Sequence, residues 1–178
     1  MGPYQTSRLR MARLLSLVVV TVLLFASVPV GAQQPVAPPP PQIPYGAPIT
    51  LEQAKKVMAG AEVEAKKNNW NMVIAVLDSG GHLVMLERMD GTQLGSIEAA
   101  KDKAYSAVLY RRPTKVFQDL VGQGGANLRL LKLSGASPLE GGIPILMDGK
   151  IVGAVGVSGA TSEQDAQVAK AGADASTK

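Results

Sequence analysis

The stretch "GGIPILMDGKIVGAVGVSG", residues 141–159, constrains the fold more than any other. Two apolar runs meet at Asp148-Gly149, a pair suited to a type I′ turn because both central positions there need φ > 0. Ile143 to Met147 and Lys150 to Ser158 therefore read as a β-hairpin. The second run alternates glycine with apolar residues: Val152, Gly153, Ala154, Val155, Gly156, Val157. Glycine weakens a strand and marks either bending or the close approach of another group to the backbone. Both readings stay open at this point: curvature of the sheet, or backbone left bare for a flat ligand or a neighbouring chain.

Upstream, the pattern changes period. Leu51, Ala54, Val57, Met58, Ala61 and Ala65 recur at helical spacing. Thr50, with Gln53 three residues later, forms a capping-box pattern at the start, and Asn68-Asn69 supplies a stop. "MVIAVLD" (72–78) is a β-branched run suited to a central strand, followed by a Ser79-Gly80-Gly81 turn and a second strand, "HLVMLERM" (82–89). On that strand His82, Val84, Leu86 and Arg88 share one face, and Leu83, Met85, Glu87 and Met89 the other. A helix over 96–110 has Ser96 as its candidate cap, and Pro113 ends it. Thr114 heads a short helix with Val116, Phe117 and Leu120. Residues 122–135 mix breakers with leucines, and a short strand is expected near 136–139. Ser162 is the candidate cap of the last helix. Hairpins separated by helices give an α/β (α+β) domain, an antiparallel sheet with helices packed on it.

Composition removes several classes of function. The chain has no cysteine, which excludes disulfides, thiolate catalysis, Cys-ligated zinc and iron–sulfur clusters. A lone histidine argues against multi-His metal sites, and Glu87, Asp90 and Glu98 follow no EF-hand spacing. Arg8, Arg10 and Arg13 precede the apolar run Leu14 to Val28, and Val30-Gly31-Ala32 offers a cleavage site before Gln33. This is the pattern of a secretory signal over residues 1–32, with an uncleaved membrane anchor as the alternative, so the mature chain is expected to be exported, periplasmic or secreted. Three of the 18 basic residues leave with the leader, so 15 face 14 acidic ones. Such a balance gives no global field for nucleic acid. Residues 33–48, "QQPVAPPPPQIPYGAP", form a proline-rich tether that favours extended backbone and cannot build a core. Residues 49–178 are left as the folded domain.

Within that domain "VLDSGGHLVMLERMDG", "AAKDKAYSAVLYRRPT", "EGGIPILMDGKIVGAVGVSGA" and "EQDAQVAKAGADA" occur in this order. Together they closely resemble the GlcG/HbpS-like family, also called the haem-degrading or DUF336 family. The resemblance runs from about residue 50 to 175. It implies a profilin-like or PAS-like domain with a five-stranded antiparallel sheet, assembly into homo-oligomers and a haem cofactor. An exported member is linked to a membrane sensor kinase, so a membrane sensor partner is part of the expectation. Some members are described as degrading haem. The alternatives are a small enzyme degrading haem or acting on an oxidised metabolite, and a non-catalytic oligomeric scaffold. No nucleophile–histidine–acid set or paired-carboxylate motif in the chain identifies an enzyme.

Read with that resemblance, the candidate haem-binding residues are His82, Lys103, Arg111, Arg112, Thr114, Gly141 and Gly142. His82 is the candidate ligand of haem iron, since neutral imidazole is a common axial ligand. The bland alternative is an exposed residue opening a strand. Lys103, Arg111 and Arg112 belong to the densest basic cluster, and such cations suit the paired carboxylates of haem propionates. Thr114 adds a hydroxyl. Otherwise Thr114 caps its helix and the cations form a solvated or subunit-facing surface. Gly141 and Gly142 would line the pocket or a subunit contact. Tyr105 and Tyr110 are five residues apart on one helix, so at most one is expected to point inward.

Overall fold

The computed structural model describes residues 42–176. Residues 1–32, where a secretory leader is expected, residues 33–41 of the proline-rich segment and residues 177–178 lie outside the described residues. The elements follow in the order α1 (Leu51–Lys67), β1 (Val73–Asp78), β2 (Leu83–Arg88), α2 (Gly95–Tyr110), α3 (Lys115–Gly122), a 3-10 segment (Gly125–Lys132), β3 (Gly142–Met147), β4 (Lys150–Ser158) and α4 (Ser162–Ala175).

Both hairpins expected from the sequence form, and they join through their inner strands. The sheet order is β2-β1-β4-β3, antiparallel at every pairing. Asp148 (φ 50) and Gly149 (φ 71) make the β3–β4 turn with the double positive φ of type I′. Pro144 is accommodated because β3 is an edge strand, where a missing N–H costs no ladder bond. Among the described residues the sheet has four strands, not five. The short strand expected near 136–139 does not form. A single bridge between Tyr45 and Ile151 extends the sheet instead, with the Ile151 N–H donating to Pro44 O (2.9 Å) and the Gly46 N–H to Ile151 O (2.8 Å).

Strand alternation sorts the core into two layers. Ile74 and Val76 of β1, with Val155 and Val157 of β4, face α1 and α4. Val73, Ala75 and Leu77, with Ala154, face α2. A fully buried valine or isoleucine stabilises a fold by about 1.5–3 kcal/mol over its exposed form, so the valine-rich layer carries much of the domain. The α2 layer is different: Ala100, Ala104 and Ala107 meet Ala75, Ala154 and Gly156. Small residues on both sides let the helix axis come close to the sheet.

This answers the question raised by the glycines. A Cβ on Gly156 would lie 2.0 Å from the Ala100 carbonyl oxygen and 2.5 Å from the Ala104 nitrogen. The close neighbour is the chain's own helix.

Caps follow the sequence at α1 and depart from it elsewhere. The Gln53 N–H donates to Thr50 Oγ1 (3.3 Å), and the Thr50 N–H donates to Gln53 Oε1 (2.8 Å). At α4 the cap is Thr161, in a second capping box with Gln164, and Ser162 is the first helical residue. Ser96 does not cap α2. It is buried and accepts a hydrogen bond from Ser158 Oγ (3.3 Å).

Candidate functional site

The candidate residues fall into two groups. Lys103, Thr114, Gly141 and Gly142 meet in the interior. Lys103 lies on α2 in the same stripe as Ala100, Ala104 and Ala107, so helix geometry turns its stem into the protein. Its Nζ donates to Asp165 Oδ2 at 2.6 Å and to the Val157 carbonyl at 3.0 Å. The two side chains are 3% and 4% exposed. Asp165 also accepts the Ala160 N–H at 3.1 Å. Burial pushes the Asp165 carboxyl above its ordinary range, against the pull of the Lys103 ammonium and the N–H groups of Ala160 and Gly159.

Around this pair the chain is closely packed. A Cβ on Gly142 would lie 2.2 Å from the Lys103 carbonyl oxygen, and one on Gly141 3.0 Å from Lys103 Nζ. Thr114 is fully buried and stands at the N-cap position of α3 without a side-chain capping bond. Its Oγ1 accepts the Gly142 N–H at 2.9 Å, and its own N–H donates to Gly142 O at 3.0 Å. The four residues therefore tie α2, β3, β4 and α4 at one point, each partnered by the chain itself. Sequence reasoning missed Asp165. The available signal was its place in the stripe Asp165, Val168, Ala169, Gly172, where a carboxylate among apolar residues needs a buried partner.

His82, Arg111 and Arg112 lie at the surface. His82 follows the tight turn between β1 and β2, and its side chain is 82% exposed. Its Nδ1 stands 3.4 Å from Asp78 Oδ1, which accepts the N–H groups of Gly80 (2.8 Å) and His82 (2.9 Å). Burial alone would push the Asp78 carboxyl up. The two N–H groups and the nearby imidazole outweigh it and hold the carboxyl below its usual range.

The same turn abuts α2. A Cβ on Gly81 would lie 2.9 Å from Tyr105 Cε2, and one on Gly135 2.8 Å from Tyr105 Cε1. The Tyr105 ring thus sits between two glycine turns, 40% exposed. On the Gly135 side it borders an open cleft of about 450 Å³ lined by Asp102, Tyr105 and residues 135–139. The cleft wall is anchored by the Ser137 N–H, which donates to the buried Ser106 Oγ at 3.0 Å. Tyr110 turns elsewhere: its ring meets Phe117 edge-on (5.1 Å) and its hydroxyl donates to the Ser134 carbonyl.

Arg111 and Arg112 end α2, about 9 Å along the helix axis from Tyr105 at 1.5 Å per residue. Arg111 has left-handed backbone (φ 53), and its guanidinium lies 4.3 Å from the centre of the Tyr45 ring. Tyr45, which sequence reasoning passed over, donates its hydroxyl to Val108 O at 2.8 Å. Arg112 Nε donates to Tyr110 O, and its guanidinium stands 5.8 Å from the Phe117 ring centre. Two cations are therefore held in place just past the end of α2, a helix that also exposes Tyr105 and Leu109.

Comparison with known proteins gives this geometry a context. The haem degrading protein HbpS-like family matches residues 49–174. Protein GlcG of Escherichia coli K12 is 44% identical over 110 residues, 62% of this chain and 81% of GlcG. A double mutant of Streptomyces reticuli HbpS has the same fold, with a TM-score of 0.66 and 32% identity, over 80% of this chain and 97% of that one. So does PduOC in complex with haem, with a TM-score of 0.66 and 26% identity, over 72% of this chain and 95% of that one. By the extent of the family match and by its likeness to GlcG and HbpS, the chain belongs to the family described as haem degrading protein HbpS-like.

Proposed function

We propose that this chain is an exported haem-binding protein, with the haem held at the surface formed by the β1–β2 turn and the C-terminal half of α2. One observation carries the placement: the chain's single imidazole, 82% exposed, follows a turn packed on Tyr105, whose ring borders an open cleft. The residues fit the group by type. His82 offers a nitrogen to iron. Tyr105 and Leu109 present apolar surface to one face of the macrocycle. Arg111 and Arg112, at the end of the same helix, suit the propionates. A cleft of about 450 Å³ is within the size range of cofactor sites. It is open on one side, and a second copy of the chain closes it in this reading. Lys103, Thr114, Gly141 and Gly142 are given no contact with haem, because their partners are within the chain. Bound haem supplies a redox-active iron, whose occupancy or oxidation state a membrane sensor partner would read.

The family match and the haem complex of PduOC support this reading. Hemin titrated into the mature protein is expected to give a saturable shift of the Soret band. His82→Ala should weaken that binding at least about tenfold, by loss of the nitrogen that His82 would offer to iron. Absence of any saturable shift would refute haem binding, whereas an unchanged His82→Ala titration would refute only the ligand assignment. The leader has its own test: N-terminal sequencing of the exported protein is expected to begin at Gln33, and an intact Met1 would refute cleavage.

A further inference from the structure

We infer that Asp78 and Gly80 are positioning residues that hold the His82 imidazole in a single orientation and tautomer, with Nε2 free for a metal centre. The inference rests on the proposed ligation by His82 and concerns how the chain prepares that ligand. Asp78 is the last residue of β1, and its carboxylate is pinned because Oδ1 accepts two backbone N–H groups of the turn it heads. The imidazole folds back over this turn, so Nδ1 stands 3.4 Å from that same oxygen. A nitrogen lone pair facing a carboxylate oxygen at this range is repelled, whereas an N–H is attracted. Neutral His82 in this orientation therefore carries its proton on Nδ1 and keeps the lone pair on Nε2, at the other edge of an 82% exposed ring.

Gly80 is the second device. A Cβ there would lie 2.9 Å from both His82 Nδ1 and His82 Cε1, so a side chain at 80 would push the ring off its place. The "DSGGH" sequence thus brings a carboxylate, a vacant Cβ position and an imidazole together within five residues. Carboxylate–histidine pairs of this kind orient metal ligands and raise their basicity.

The tautomer is measurable without haem. The chain has one histidine, so selective 15N-histidine labelling of the full mature protein gives one imidazole pair of signals. At about pH 8, above histidine's ordinary range, the Nδ1–H form should dominate in the wild type. Asp78→Asn and Gly80→Ala should each raise the Nε2–H population. Asp78→Asn keeps an oxygen for the two turn N–H groups, and far-UV circular dichroism verifies that each variant is folded. In hemin titrations Asp78→Asn should bind about 10–100-fold more weakly, with the Fe(III)/Fe(II) potential shifted upward, and Asp78→Glu should recover part of the loss. A dominant Nε2–H form in the wild type would overturn the inference. So would Asp78→Asn and Gly80→Ala variants with the wild-type tautomer ratio. Failure of the ligation reading has a different signature: His82→Ala then binds hemin like the wild type, whatever the tautomer in haem-free protein.

Discussion

Gly156→Ala is expected to destabilise the domain by about 3 kcal/mol or more, the upper end of what overpacking a well-filled core costs. The added methyl would sit 2.0 Å from the Ala100 carbonyl oxygen and 2.5 Å from the Ala104 nitrogen. These are backbone atoms of a helix, so no rotamer change relieves the contact, and α2 must move off the sheet. The Ala75, Ala104 and Ala154 contacts in that layer would loosen with it. Urea unfolding followed by circular dichroism measures the loss as a lower midpoint at unchanged slope. Gly122→Ala is the control, because nothing lies within 4 Å of a Cβ at the end of α3. There the substitution should be neutral or stabilise by up to about 1 kcal/mol, from helix propensity alone. If both variants unfold at the wild-type midpoint, α2 does not lie where the structure places it.

Asp165→Asn is expected to cost about 3–5 kcal/mol, because it leaves the Lys103 ammonium buried without its counter-charge. A single domain is stable by only about 5–15 kcal/mol, so this substitution brings the fold close to its limit. Lys103→Met alone should cost a similar amount, by leaving the carboxylate unpaired. Combining Lys103→Met with Asp165→Leu should recover much of the loss, since a buried pair replaced by apolar side chains of similar volume is often neutral. The double-mutant cycle measures the coupling directly, and additive losses would show that the pair does not form. The same cycle bears on function. Lys103 is engaged by Asp165 and by the Val157 carbonyl, so hemin affinity in a folded Lys103→Met, Asp165→Leu variant should match the wild type.

Much of this fold was legible along the chain. The capping box at Thr50 and Gln53, the double positive φ at Asp148-Gly149 and the two hairpins each depend on residues a few positions apart. Where the cap readings missed, the cause was specific, and the strand expected near 136–139 did not form at all. Thr161, one residue before the expected Ser162, takes the cap because its partner Gln164 lies three residues on. Ser96 is drawn into the interior by Ser158, a residue 62 positions away.

Part of the candidate site is local in the chain. His82 and its Asp78 partner lie four residues apart, and the turn between them carries the Gly80 that makes room for the ring. Lys103 and Thr114 are candidates through the motif that contains them, and the partners the structure gives them, Asp165 and Gly142, lie 62 and 28 residues away, beyond the reach of local reading. One clue was present in each helix. Lys103 interrupts the alanine stripe of α2, and Asp165 interrupts the apolar stripe of α4. Two opposite charges, each on a buried face, point to each other once the faces are known to meet.

The amino-acid order alone determined the four α-helices and the two hairpins, since periodicity, caps and turn chemistry act over one or two turns of chain. At Gly156 it left two readings open, a curved sheet or something close to the bare backbone. Only the tertiary structure decided between them. Whether bare backbone meets a ligand, a second copy or the chain's own α2 depends on which surfaces are brought into contact, and here hydrophobic burial of the alanine face set Ala100 and Ala104 against it.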